Sequence, residues 1–340
     1  MSQHISLHTH RLRAAASCHA VASAVALLAG CAVTSEAVDL DDGDALASRH
    51  GALIGGRPVD PDQFRSTVGI GDACTAAKVG ARLFLTAAHC VAVGRPNRSM
   101  PPPEGFPPNA GVREDYLPGA PLLFFWGLDA DDAEQAAFTI VQTSIHPSWW
   151  QCPLCQDPIL SSGAADIALI EIAEETPDIP EARLELGSIT PGAQVVKVGW
   201  GCEERTNIDA DTLELGRFKA EAASVIVASE IRHDNSPMSD EQLALVDASY
   251  LVTAGHAQDP ANASLCLGDS GGPLYLADAS DPRIVGVNSN YTFMPLQGPE
   301  DLGGVSWTDW HTRTSLGALH GVGQWLIDLG TNTVGGGVGG

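Results

Sequence analysis

Ser270 stands at the centre of "GDSGGPL" (268–274), surrounded by glycines and preceded by Asp269. A serine hydroxyl is a poor nucleophile near neutral pH unless a base takes its proton, and it works only where a carbonyl carbon can come within bonding range. Small neighbours allow that approach, so the stretch requires two distant partners: a histidine base and a carboxylate to orient it. "LTAAHC" offers His89, at the end of the apolar run Leu83, Phe84, Leu85 and beside Cys90. "ADIALIEI" offers Asp166, ahead of Ile167, Leu169 and Ile170, a buried-strand pattern in which an unpaired charge is costly. Each has an ordinary reading by itself: a structural histidine, a turn aspartate, a glycine loop. Together, in the order His, Asp, Ser, they describe acyl transfer by an activated serine.

These motifs in this order resemble the chymotrypsin/trypsin family of serine endopeptidases, and the order differs from that of subtilisins and α/β-hydrolases. The resemblance covers roughly residues 53–330. It implies that Ser270 attacks the scissile carbonyl, His89 takes and returns the proton, and Asp166 holds the imidazole. It places the oxyanion hole at the backbone N–H groups of Gly268 and Ser270. "VGVNS" (285–289) is similar to the strand lining the substrate cleft, which puts Ser289 against the catalytic aspartate. By the same resemblance Asp269 pairs with a newly cut α-amino group, and "ALIGGRPV" supplies it at Leu53. Ala52 is not the basic residue at which many such precursors are cut, and Arg49 lies upstream. Trimming to Leu53 and a start at Ile54 therefore both stay open.

The elements that must position these groups read as strands. Short apolar or alternating runs at 82–85, 137–141, 167–172, 194–198, 223–227, 272–276 and 284–288 are separated by Gly, Pro and Asp clusters. With the resemblance, the expected fold is all-β: two packed six-stranded antiparallel β-barrels, about 66–185 and 190–315. No long helical periodicity competes. "LHGVGQWLIDLG" alone suggests a short C-terminal helix, about 319–329, with a Gly330 stop. Beyond it 331–340 reads as a glycine-rich tail. The Pro-rich stretch 94–121 cannot be a regular strand or helix. That insertion and a second between Trp200 and Ser264, with the mixed-charge segment 229–242, either frame the cleft or are tolerated surface loops.

Length and charge agree with a single such domain. The chain has 340 residues and a net charge of −24, and the acidity resides downstream of Leu53. That balance argues against nucleic acid or an anionic membrane as electrostatic partner. Before it, Arg11 and Arg13 precede the apolar run 20–28, too short to span a membrane, so 1–30 reads as a signal peptide. "LAGC" looks like the lipobox of bacterial lipoproteins, with lipidation at Cys31; ordinary cleavage near Ala32 is the alternative. Residues 31–52 then form a tether and propeptide. The expected location is the cell envelope or, after propeptide cleavage, the exterior, with membrane contact only through a lipid at Cys31.

Export makes disulfides the expected fate of the remaining cysteines. The resemblance assigns Cys74–Cys90 as the histidine-loop bridge. Cys266 lacks its usual downstream partner, which leaves Cys202 as the substitute, and Cys152–Cys155 as the last pair. "CPLC" also admits a redox pair or half a zinc site, but no second CxxC or close His pair accompanies it. No metal and no cofactor is implied.

The primary pocket departs from trypsin. Ser264, six residues before the nucleophile, stands where trypsins carry the carboxylate that selects Arg and Lys, and Leu265 adds bulk without charge. Tyr291, in the expected pocket wall, makes the pocket shallow and suited to small or medium apolar side chains. The reading is thus an exported serine endopeptidase made as a zymogen, with a protein or peptide substrate and an activating protease. A catalytically silent binding protein on the same fold and a thiol oxidoreductase built on Cys152 and Cys155 are the rivals.

Overall fold

The computed structural model describes residues 53–60, 62–71, 74–94, 107–128, 133–150, 164–201, 218–227, 232–233, 236–256, 258, 261–277, 281–292 and 308–334. The leader, Cys31, the tether, Cys152, Cys155, Cys202 and residues 335–340 lie outside them.

Six strands close the first barrel: β1 Thr67–Ile70, β2 Cys74–Gly80, β3 Leu83–Thr86, β4 Pro121–Trp126, β5 Glu134–Ile145 and β6 Ala168–Ile172. Their order is β1-β2-β3-β6-β5-β4, and β4 returns to β1 at Gly69↔Phe125. The runs carrying His89 and Asp166 are adjacent here, because β3 pairs β6 from Leu83↔Glu171 to Thr86↔Ala168. β1 and β3 are buried almost throughout, as expected of strands that face a filled barrel on one side and neighbouring structure on the other. Phe84 and Phe124 fill the interior, ring centroids 4.5 Å apart.

The second sheet is built on β7 Gln194–Gly199, β8 Lys219–Ser224, β9 Tyr250–Ala254, β10 Pro273–Leu276, β11 Arg283–Thr292 and β12 Thr308–Arg313. Its order is β8-β7-β10-β11-β12-β9, all antiparallel. The fold is therefore all-β, as the sequence predicts. The second barrel is a curled sheet rather than a fully paired cylinder, since its edges β8 and β9 meet through the single bridge Val225↔Thr253. Arg57–Pro58 pairs antiparallel with the start of β8, which draws the segment after Leu53 onto this sheet.

Two differences from the sequence reading concern ends and insertions. The stretch expected as a tail begins with a strand: Thr333–Val334 runs parallel to Arg183–Glu185, which in turn runs parallel to β11. The second insertion contains helix α2, Asp240–Ser249, behind a capping box in which Ser239 and Gln242 satisfy each other's backbone N–H. Only a narrow face of α2 is apolar, Leu243 and Val246 against the cluster of Met238, Tyr250, Val252 and Trp310, which is why periodicity did not announce it. The C-terminal helix α3 is Val322–Asp328, entered through a 3-10 turn at Leu319–Gly321.

Candidate active site

β3 ends at Thr86, and the chain turns into a single helical turn, α1 Ala88–Val91, that carries His89. The Cys74–Cys90 disulfide ties that turn to the start of β2, as the resemblance implies. The His89 backbone N–H donates to Asp166 Oδ1 at 2.9 Å, and Nδ1 lies 2.6 Å from Asp166 Oδ2. Because an ionised carboxylate only accepts, Nδ1 carries the proton of this bond and Nε2 is left as the basic nitrogen. The His89 side chain is 29% exposed and that of Asp166 only 7%, so the imidazole reaches solvent while the carboxylate does not. Ser289 Oγ donates to the same Oδ2 at 2.7 Å. Burial alone would raise the Asp166 carboxyl, but the charge on His89 and the hydrogen bonds from His89 and Ser289 outweigh it and hold the group below its ordinary value.

The nucleophile turn is held from all sides by its carbonyls. Thr75 Oγ1 donates to Gly268 O at 2.7 Å, Thr75 N to Ser270 O at 2.8 Å, and Asn288 Nδ2 to Asp269 O at 3.1 Å. Gly268 has φ 98° and Gly271 φ 82°, conformations that other residues rarely adopt. At Gly271 a Cβ would also lie 2.1 Å from Thr86 Oγ1 and 2.3 Å from Thr75 O. The N–H groups of Gly268 and Ser270 donate to nothing among the described residues. The Ser270 hydroxyl forms no hydrogen bond among them either, but its carbonyl is bonded beside the disulfide that positions His89.

Asp269 points the other way and is fully buried. Gly201 N donates to Oδ1 at 2.8 Å, Cys266 N to Oδ2 at 2.7 Å, and the backbone of Leu53 is a further hydrogen-bond partner. Burial pushes this carboxyl up to about 7; the Asp309 charge adds to the rise, and the backbone donors oppose it. Leu53 and Asp269 are therefore together, with the Leu53 side chain fully buried against Ala263, Leu265 and Tyr291. Cys266 is disulfide-bonded.

Ser264 is buried. Its backbone pairs with Ile54 in both directions, at 3.0 and 2.9 Å, and its hydroxyl accepts from His256 N at 2.8 Å. Tyr291, half-buried, lies over Ala263 and Leu265. Cys74, His89 and Cys90 stand close enough for a metal site, but the two sulfurs are bonded to each other and are not thiolate ligands.

Sequence reasoning missed several positioning groups. Thr312 Oγ1 donates to Asp166 O at 3.2 Å, and the buried phenol of Tyr250 feels the Asp166 charge and donates to Ala164 O at 3.1 Å. Asn288 Oδ1 accepts from His311 Nδ1 at 2.8 Å, and His311 Nε2 lies 3.1 Å from Thr253 Oγ1. Such residues are not visible as a set in the chain: "TDWHTR" (308–313), largely polar, forms a strand that is buried throughout.

Residues 130–294 match the family model described as Trypsin, just under half of the chain. The matched span contains Asp166, Ser270 and Ser289 and is similar to trypsin-type serine proteases. Among solved structures, the chain resembles human heparin binding protein at 17% identity and a TM-score of 0.49, over 81% of this chain and 95% of that one. An atomic-resolution structure of HBP is 18% identical with a TM-score of 0.49, over 81% and 95%. No curated protein matches the chain.

Proposed function

We propose that the chain is an exported serine endopeptidase of the trypsin type, made as a zymogen and cut before Leu53. The observation that carries this reading is the bonded group His89, Asp166 and Ser289 beside a nucleophile turn whose carbonyls are all held and whose Gly268 and Ser270 N–H groups are left to donate. In the reaction Ser270 Oγ bonds to the scissile carbonyl carbon as its proton passes to His89 Nε2. The carbonyl oxygen takes the negative charge under the two N–H groups, each worth about 2.7–4 kcal/mol in comparable sites. Collapse breaks the C–N bond, and the imidazolium returns the proton to the leaving amine. Water, deprotonated by the same nitrogen, then releases the acid. The Ser270–His89 hydrogen bond forms in the substrate complex, as such bonds commonly tighten only there.

A neutral pocket framed by Ser264, Leu265 and Tyr291 supports small or medium apolar residues before the cleaved bond, with apolar burial contributing about 25 cal/mol per Å². A lipobox at Cys31 supports a membrane-tethered precursor that activation releases. A catalytically silent binding protein is the second reading. The net charge of −24 sets such a protein against polyanionic ligands. One experiment separates the two. The form starting at Leu53 is expected to label with a fluorophosphonate probe, and Ser270→Ala and His89→Ala to lose labelling and peptide hydrolysis by orders of magnitude while remaining folded. A Leu53-start form that neither labels nor cleaves any peptide would make it a binder; residual labelling of Ser270→Ala would move the chemistry to another residue.

A further inference from the structure

Lys197 sits in the middle of β7, and both it and Asp309 on β12 are wholly buried. The ammonium has three protons and three acceptors: Asp309 Oδ2 at 2.8 Å, Ala254 O at 3.2 Å and Ala263 O. Asp309 Oδ1 in turn accepts from Leu265 N at 3.2 Å. The pair therefore grips the chain on both sides of Ser264, through the carbonyl before it and the N–H after it. Across the sheet Asp309 is in register with Tyr291, which packs on Ala263 and Leu265. A buried ion pair is weak evidence of a stabilising role, since apolar residues of similar volume often serve as well or better. Its position behind the base of the proposed pocket gives it a different consequence.

We propose that the Lys197–Asp309 pair sets the charge preference of the primary pocket. Asp309 is a carboxylate stationed directly behind the pocket base, and Lys197 satisfies it from inside the protein. Among the described residues, an Arg or Lys side chain of a substrate then meets no anion that lacks a counter-charge, and an acidic one no such cation. The inference rests on the endopeptidase reading. It adds to the sequence argument from Ser264, because the absence of a charge at that position does not make a pocket neutral when a buried carboxylate lies behind it. Lys197 is a positioning residue as well, since its bonds to Ala254 O and Ala263 O join the end of β9 to the pocket base.

The test is a charge-by-charge dissection in the Leu53-start protein, read by a peptide-library cleavage profile and by the fluorescence of p-aminobenzamidine, a cationic pocket probe. Wild type is expected to bind the probe weakly. Lys197→Met, which removes the ammonium from beside Asp309, should bind it at least tenfold tighter and shift the profile at least tenfold toward Arg and Lys. Asp309→Asn, which removes the carboxylate charge from beside Lys197, should shift it at least tenfold toward Asp and Glu. The volume-matched double variant Lys197→Met/Asp309→Leu should show neither shift. Single variants that fold but keep the wild-type profile and probe affinity would overturn the proposal. Failure of both singles to fold, while the double variant folds, would reduce the pair to a structural tie and overturn it too. Probe binding needs no turnover, so the pair is judged even if wild type proves silent toward fluorophosphonate, the outcome that would instead reject the endopeptidase reading.

Discussion

At the scale of single residues, the site depends on keeping one buried carboxylate ionised. Asp166 lies below its ordinary value only because His89 and Ser289 offset its burial. A carboxyl depressed in the folded state contributes stability that is present above the unfolded value, near 3.9, and is lost as pH falls through the folded one. Ser289→Ala removes one of the offsetting bonds, and hydrogen bonds to charged groups are worth about 1.5–3 kcal/mol. The variant should be destabilised by roughly that amount at pH 6–8, with the gap to wild type closing in strong acid, where Asp166 is protonated in both proteins. Denaturant unfolding across pH 2–8 measures this, and a gap that persists unchanged to pH 2 would show that Ser289 acts by packing alone. His89, Asp166 and Ser270 were legible because reactive or charged side chains beside apolar or glycine-rich runs are locally unusual, and Ser289 only through the resemblance of "VGVNS" to a known strand. Thr312, Tyr250, Asn288 and His311 were not, because a threonine or asparagine in a strand acquires a role only when strand register selects its partner.

At the scale of elements, the histidine turn is too short to hold itself. A four-residue helix makes one hydrogen-bonded turn, and its Ala87 cap offers no side-chain acceptor. The disulfide to Cys74, across a sequence separation of 16, takes over that function. A loop of that length corresponds to about 3 kcal/mol of stabilisation. Cys74→Ala/Cys90→Ala should lose about that much in chemical denaturation, and kcat should fall at least tenfold with KM little changed, because the imidazole and not the substrate pocket is released. Equal kcat in the two proteins would show that the Asp166 bonds hold His89 unaided. The same scale explains which elements were readable. Strands with plain apolar runs, such as 82–85 and 167–172, were found. Tyr250–Ala254 and Thr308–Arg313 were not, since their threonines, histidine and arginine look like surface until the buried network that satisfies them is known. α2 carried a readable start in Ser239-Asp240-Glu241-Gln242, outweighed by its weak apolar face.

At the scale of the whole molecule, the segment at Leu53 and the nucleophile turn form one electrostatic unit. In the uncut chain Leu53 offers Asp269 an amide, not a cation, and burial leaves that carboxyl near 7. A carboxyl raised in the folded state binds its proton more tightly there than in the unfolded chain, so the uncut protein loses stability as pH rises from about 4 to about 7 and changes no further above it. On the proposed activation, a cut before Leu53 would supply an α-ammonium that keeps Asp269 ionised and cancels that loss. The ammonium's own contribution is complete below its unfolded value, about 7.7–8, and disappears as pH rises through its raised folded value. All other titrating groups downstream of the cut are common to both forms, and subtraction removes them. The difference in Tm between cut and uncut protein should therefore grow from pH 4 to 7, peak near pH 7–8 and shrink at alkaline pH, with catalytic activity following the same curve. Paired thermal melts from pH 4 to 10 measure it. Asp269→Asn should abolish the pH dependence of the difference, and a difference that is constant with pH in the native pair would sever activation from Asp269.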